Sequence, residues 1–270
     1  MQFIKLSLTA LCLGLITACG GSSGSGGGGD NSGNTATPVN DNTTSPTTNV
    51  DTPSTPNTET NNTTGQVAKI FVDGEASKIN IIDLTSPNLN TITIDGQTIQ
   101  VMSGIYAGGW SNIREGNVTT TVCCGKYDSA KIGFYDLGED APAYLFYNGT
   151  VTAKNDIPQS GVATYTGDSL IFPGVTDENL PDQIKGTSTF NADFGNKTLS
   201  GSLDSAQATV TVNAKINENT LSGTATSSVD PGTANVDGKF YGNNAKQLAG
   251  MALSQTGDER WGAAFIAGKQ

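Results

Sequence analysis

The sequence predicts an all-β protein in two folded parts, an N-terminal β-rich domain and a C-terminal closed barrel, behind a leader and a polar tether. Three observations predict it. Alternating apolar and polar segments recur roughly every ten residues from Gly161 onward, separated by polar turns. Glycine is abundant, at 34 residues, and long helical periodicity is missing. Evenly spaced strands of this kind are stable when the sheet closes on itself, because closure leaves no unpaired edge.

The leader occupies residues 1–18. Lys5 gives it a positive flank, Leu6–Ile16 an apolar run too short to span a bilayer, and Ile16-Thr-Ala-Cys19 a small-residue cleavage site ending on cysteine. That arrangement is the signature of a bacterial lipoprotein, with Cys19 acylated and the chain anchored in a membrane. Gly20 in place of aspartate favours sorting to the outer membrane. Residues 19–65 form the tether, first Gly/Ser-rich and then Thr/Asn/Pro-rich, with almost nothing apolar to bury. Such a segment stays disordered and spans roughly 35–40 Å as a coil.

Residues 66–154 read as the first folded domain. Val67–Val72, Lys78–Leu84, Thr91–Ile94 and Gln97–Met102 are predicted strands, the last two joined by Asp95-Gly96, which suits a type I′ hairpin turn. Lys131–Asp136 and Tyr144–Thr152 follow, then a turn at Asp156–Pro158. Residues 155–270 read as the barrel. Its predicted strands are Gly161–Thr166, Ser169–Phe172, Ile184–Phe190, Lys197–Leu203, Ala208–Ile216, Thr220–Ser227, Asn235–Tyr241, Ala249–Ser254 and Arg260–Ala267. Many inward positions fall on Ala, Gly, Ser or Thr, which predicts a compact lumen filled by small side chains.

One stretch departs from simple alternation. Val236, Gly238 and Phe240 share one strand face, and Lys239 and Tyr241 the other. Gly242 then frees the backbone, Asn243 or Asn244 can cap a short helix, and Ala245, Leu248 and Ala249 fall at helical spacing before Gly250 as a left-handed stop. The expectation is a helical turn whose Leu248 plugs the barrel end; an ordinary strand and loop is the alternative.

This stretch resembles the last-but-one hairpin of the eight-stranded barrel in transferrin-binding protein B and its smaller relatives, the Slam-dependent surface lipoproteins and the hemophilins. There a Gly-x-Phe-Tyr-Gly segment runs into Ala-x-x-Leu-x-Gly, matched here by Gly238, Phe240, Tyr241, Gly242, Ala245, Leu248 and Gly250. Gly161-Val-Ala-Thr-Tyr-Thr-Gly167, Phe190–Gly201, Leu221-Ser-Gly-Thr-Ala225 and Trp261–Ala267 are similar to further strands of the family. The resemblance covers residues from about 155 to the C-terminus and implies an eight-stranded antiparallel barrel. It also implies that residues 66–154 form a handle domain that engages the partner, that a Slam-type translocator exports the chain, and that the protein sits on the cell surface.

The inventory of side chains excludes much chemistry. There is no histidine, so a Ser-His-Asp triad, a His-ligated zinc and a His-ligated haem are all ruled out. The acidic pairs Glu139-Asp140, Asp177-Glu178 and Asp258-Glu259 lie in predicted turns and read as solvated. No catalytic and no metal-binding residue is assigned, and the protein is expected not to be an enzyme. Hemophilin-like haem binding would require a tyrosine ligand, for which Tyr106, Tyr127, Tyr135, Tyr144 and Tyr147 are the candidates.

With Cys12 in the leader and Cys19 acylated, Cys123 and Cys124 remain. Neighbouring α-carbons lie about 3.8 Å apart, below the usual disulfide range of roughly 4.4–6.8 Å, so a bridge between them requires local distortion. Two readings stay open: a vicinal disulfide, or two thiols on opposite strand faces. The net charge of −11 argues against nucleic acid as a partner. The function expected is capture of a host macromolecule, an iron-bearing protein or an immune factor, with haem carriage and a structural or adhesive role as alternatives. Tyr106, Trp110 and Tyr127 are the expected contact residues, as exposed aromatics near the loops of the first domain.

Overall fold

A computed structural model describes residues 63–73, 76–102, 108–116, 118–138, 141–173, 180–230, 232–254 and 261–270. Cys19 with the leader and nearly all of the tether, Tyr106, and the acidic pairs at 139–140, 177–178 and 258–259 lie outside the described residues.

The handle is a six-stranded antiparallel sheet carrying a separate hairpin. Its strands are β1 (Gly65–Asp73), β2 (Ala76–Leu84), β5 (Ser111–Glu115), β6 (Val118–Cys123), β7 (Ala130–Asp136) and β8 (Ala143–Gly149), in the spatial order β2-β1-β8-β7-β6-β5. The hairpin is β3 (Thr91–Ile94) with β4 (Gln97–Gln100). Asp95 and Gly96 both take positive φ, 50° and 78°, as a type I′ turn requires. Ile92, Ile94, Ile99 and Val101 lay the hairpin over Val67, Val122, Tyr144 and Phe146 on one face of the sheet. Asp95 anchors the turn through Lys69 at 2.5 Å, and that hydrogen bond holds its carboxyl below the ordinary carboxylate range.

The barrel closes from eight strands: β9 (Val162–Phe172), β10 (Ile184–Asp193), β11 (Thr198–Asp204), β12 (Thr209–Asn217), β13 (Thr220–Ser227), β14 (Thr233–Tyr241), β15 (Gln247–Ser254) and β16 (Gly262–Lys269). Nine segments were expected and eight form, because Gly161–Thr166 and Ser169–Phe172 are one strand. Gly167 does not break it. A Cβ there would meet the Ile266 carbonyl oxygen at 2.0 Å, so the glycine answers a close approach of backbones, not a turn.

β12 shows strict alternation, Val210, Val212, Ala214 and Ile216 inward and Thr209, Thr211, Asn213 and Lys215 in water. All eight residues of β15 are buried, by contrast. The barrel therefore has a solvated wall and a covered one. Its lumen also differs from expectation. Tyr165, Phe190, Phe194, Phe240, Phe265 and Trp261 fill it together with aliphatic side chains and alanines, and the Phe190 ring packs tilted against Phe265 with centroids 5.0 Å apart. The Tyr165 hydroxyl donates to the Ala245 carbonyl at 2.6 Å and the Trp261 indole to the Gly232 carbonyl at 2.8 Å, so the polar ends of two lumen rings are satisfied.

The turn after Tyr241 is shorter than predicted. A single 3-10 turn, Asn243–Ala245, follows Gly242 at φ 68°, with Asn244 and Ala245 also at positive φ and no side-chain cap. Leu248 sits in β15 and points into the lumen from the strand. Gly250 is not a helix stop: it lies within β15, where a Cβ would meet the Asp237 carbonyl oxygen at 2.4 Å and the Phe265 ring at 2.6 Å. Strands β5 and β6 were not foreseen, since Ser111–Glu115 and Val118–Cys123 carry little apolar alternation.

Phe240 tests the lumen. Phe240→Ala is expected to destabilise the protein by about 3–5 kcal/mol, through lost burial and a cavity among Tyr165 and Phe194. Chemical denaturation with the slope unchanged would measure it.

Candidate functional site at the handle–barrel seam

The covered wall of the barrel meets the open face of the handle sheet. Leu170 and Phe172 of β9, Tyr241 of β14, Ala249, Met251 and Leu253 of β15, and Ala264 and Ile266 of β16 point outward from the barrel. Ala68, Ile132, Phe134, Leu145 and Tyr147 of the handle point down onto them, with Phe134 and Phe172 4.6 Å apart. The signal was present in the sequence. β15 and β16 read as nearly continuous apolar runs where β12 alternates, which is the pattern of strands buried on both faces.

Polar groups also pin the seam. Tyr147 donates its hydroxyl to Asp237, and the Tyr241 hydroxyl donates to the Thr64 carbonyl at 2.9 Å. The chain leaving the handle bonds to the end of β14: Thr152 N–H donates to the Phe240 carbonyl and Gly242 N–H to the Thr150 carbonyl, both at 2.9 Å. Gln247 accepts from the Ser129 N–H at 3.0 Å and donates to Asp128, which also pairs with Lys246 at 2.7 Å. Burial raises the Asp237 carboxyl above its ordinary value, against the opposing effects of the Tyr147 hydrogen bond and the Lys239 charge.

The loop between β6 and β7 carries three of the residues singled out from sequence. Cys123 and Cys124 are joined as a vicinal disulfide across a cis peptide, with their α-carbons 3.1 Å apart. Both are buried in the seam, so the two sulfurs do not lie on opposite faces. The Lys131 ammonium donates to the Cys124 and Tyr127 carbonyls, each at 2.6 Å, and its burial pulls its pKa down. Tyr127 is 5% exposed, not an exposed contact residue: its hydroxyl donates to Asp168 at 2.6 Å, and Lys126 pairs with the same carboxylate at 2.7 Å. Burial first, and the Asp168 carboxylate second, push the Tyr127 phenol well above its ordinary pKa. Sequence reasoning missed Lys126, Lys131 and Asp168, which are far apart or unremarkable along the chain. Cys123, Cys124 and Asp168 converge closely enough to ligate a metal. With the two sulfurs bonded to each other, only the carboxylate of the three remains as an ionisable ligand.

Trp110 packs against the same cluster as that loop, since the pairing of Ser111 with Val122 brings it beside Cys123. It is half-buried at the start of β5, packed against the seam, with the Lys185 ammonium of β10 5.6 Å from its ring centre. The described tyrosines weighed as haem ligands, Tyr127, Tyr135, Tyr144 and Tyr147, have contacts of their own. Tyr144 donates to Asp95 at 3.3 Å and rests 5.8 Å from Tyr135, while Tyr127 and Tyr147 donate to carboxylates in the seam.

Comparison with known proteins places this architecture. The family described as the C-lobe and N-lobe beta barrels of Tf-binding protein B matches residues 157–269. An uncharacterised protein of Haemophilus influenzae is 36% identical across all of this chain and 99% of its own length. A transferrin-binding protein B of Haemophilus parasuis superposes with a TM-score of 0.58 at 25% identity, covering 77% of this chain and 45% of that one. The chain thus spans under half the length of that protein. A structure described as a surface lipoprotein superposes with a TM-score of 0.55 at 20% identity, over 77% of this chain and 99% of its own.

Two predictions follow from the seam. Asp237→Ala strands the buried Tyr147 hydroxyl and is expected to cost about 1–3 kcal/mol, whereas Asp237→Asn keeps an acceptor and removes a desolvated charge. Because Asp237 titrates higher folded than unfolded, its favourable contribution is present at low pH and lost as pH rises through the folded value. Thermal melts from acid to neutral pH should therefore show the asparagine variant gaining on the wild type as pH rises. For the disulfide, intact mass under non-reducing conditions should fall two hydrogens short of the dithiol.

The fold superposes on a transferrin-binding protein B and the family model matches its barrel, so the chain belongs to the transferrin-binding protein B-like β-barrel family.

Proposed function

We propose that this protein is anchored to the outer membrane through an acylated Cys19, is carried to the cell surface by a Slam-type translocator, and captures a host iron-carrier protein through its handle. It acts as a binding protein, as members of its family do, and not as an enzyme. The observation that carries the reading is the division of labour in the fold. Aromatic rings pack the lumen of the barrel, which turns recognition to surfaces, and the handle carries a hairpin on the face of its sheet opposite the barrel. The similarity to a protein named for binding transferrin supplies the class of partner.

Trp110 is the contact we assign on the handle side, because it is a large ring held half-exposed beside a lysine. Tyr127 is withdrawn from that role by its burial. We propose no bound cofactor, and hemin added to the purified protein is expected to give no Soret shift.

A pull-down from serum with the chain lacking residues 1–19 tests the reading. One iron-bearing protein should be retained, and Trp110→Ala should weaken its retention tenfold or more, about 1.4 kcal/mol or above, while the variant stays folded at the assay temperature. Retention of no serum protein would overturn the proposal. Full-strength binding by a folded Trp110→Ala would move the contact elsewhere on the handle.

A further inference from the structure

The handle sheet ends on β2, a nine-residue strand that among the described residues pairs with β1 alone, so no described strand occupies its other edge. Long open edges are templates for further strands, and proteins commonly shorten, cover or charge them. This edge is instead markedly apolar. Ile79, Ile81, Ile82 and Leu84 are four of the six residues from 79 to 84. Ile81, 39% exposed, and Val162 are the exposed large hydrophobic residues among those described. Ile79 already packs at the margin of the seam, and by strand alternation Ile81 lies on the same face beside it.

The order of residues along β2 points to its occupant. A two-fold axis perpendicular to a sheet joins two copies of one edge strand antiparallel and keeps each face on its own side, so odd-numbered residues meet odd-numbered ones. With the axis at Asn80, Ile79 faces Ile81 of the second copy and Ile81 faces its Ile79. Four isoleucines then form one cluster on the barrel side. The same register sets Asn80 opposite Asn80, and Asp83 opposite position 77 instead of against an isoleucine. Shifting the axis to Ile81 would set Asp83 opposite Ile79, an unfavourable burial of a carboxylate. Charge fits as well: β2 carries Lys78 and Asp83 and no net charge, on a chain whose total is −11. It is an edge along which two acidic copies can meet without repulsion.

We propose that β2 is a homodimer interface, in which two copies pair their handle sheets antiparallel about Asn80 into one continuous twelve-stranded sheet. The pairing leaves the hairpin and Trp110 free, so the dimer presents two capture surfaces side by side.

Engineered cross-linking on the full-length chain in cells tests both the interface and its register. Asn80→Cys brings two cysteines within disulfide reach, since directly opposed antiparallel residues lie about 4.5–5.5 Å apart at the α-carbon. Most of this variant should run at twice the monomer mass on a non-reducing gel and return to monomer with reductant. Asn213→Cys, on the solvated barrel wall, should stay monomeric. Light scattering of the purified chain should show a dimer that Ile81→Lys converts to a folded monomer, with unchanged far-UV circular dichroism because that side chain is exposed in the single copy. A wild type that is monomeric at every concentration overturns the proposal, and so does cross-linking of Asn213→Cys equal to that of Asn80→Cys.

Discussion

The constraint on which the structure depends is the wall formed by β14, β15, β16 and β9, apolar on both of its faces. Its inner side lines the lumen. Its outer side exposes Leu170, Phe172, Tyr241, Met251, Leu253 and Ile266 unless something covers them. Burying a side chain of this size is worth about 1.5–3 kcal/mol, and a whole domain is stable by only about 5–15 kcal/mol. Uncovering the wall would therefore exceed what the barrel has to spare. The handle sheet answers the same need from the other side, since Ile132, Phe134, Leu145 and Tyr147 find their cover on the barrel. Neither half has an independent solution for that surface.

Apolar contact sets the strength of this joint, and the buried polar pairs set its register. Tyr147 to Asp237, Tyr241 to Thr64 and Tyr127 to Asp168 each leave a donor or acceptor stranded if the sheet slides on the barrel. The loop of Cys123, Cys124 and Tyr127 is held by the same logic, with a covalent bond at one end, a buried lysine across its carbonyls and a carboxylate beneath its tyrosine. Surfaces offered to a partner are thus carried on a fixed frame. A filled lumen reinforces this, because nothing in it must open or close.

The sequence was most legible where one face of a strand meets water. β12 could be placed almost to the residue, since Thr-Val-Thr-Val-Asn-Ala-Lys-Ile-Asn leaves no doubt about its period. Legibility failed where tertiary packing reassigned a residue's role. Gly167 and Gly250 look like punctuation but sit inside strands, selected by a carbonyl of the neighbouring strand and not by a turn. Tyr127 looks like a loop aromatic, and only its meeting with Asp168, 41 residues away, explains its burial. Threonine-rich β6 has too little apolar alternation to be seen alone, and its pairing with β7 makes it a strand. The doubly buried run of β15 and β16 was visible, yet it takes the covering sheet to show what the run is for.

Scanning calorimetry of the intact chain tests the shared wall most directly. If handle and barrel depend on one another, they unfold in a single transition whose calorimetric and van't Hoff enthalpies agree. Two resolved transitions, one for each half, would contradict the account.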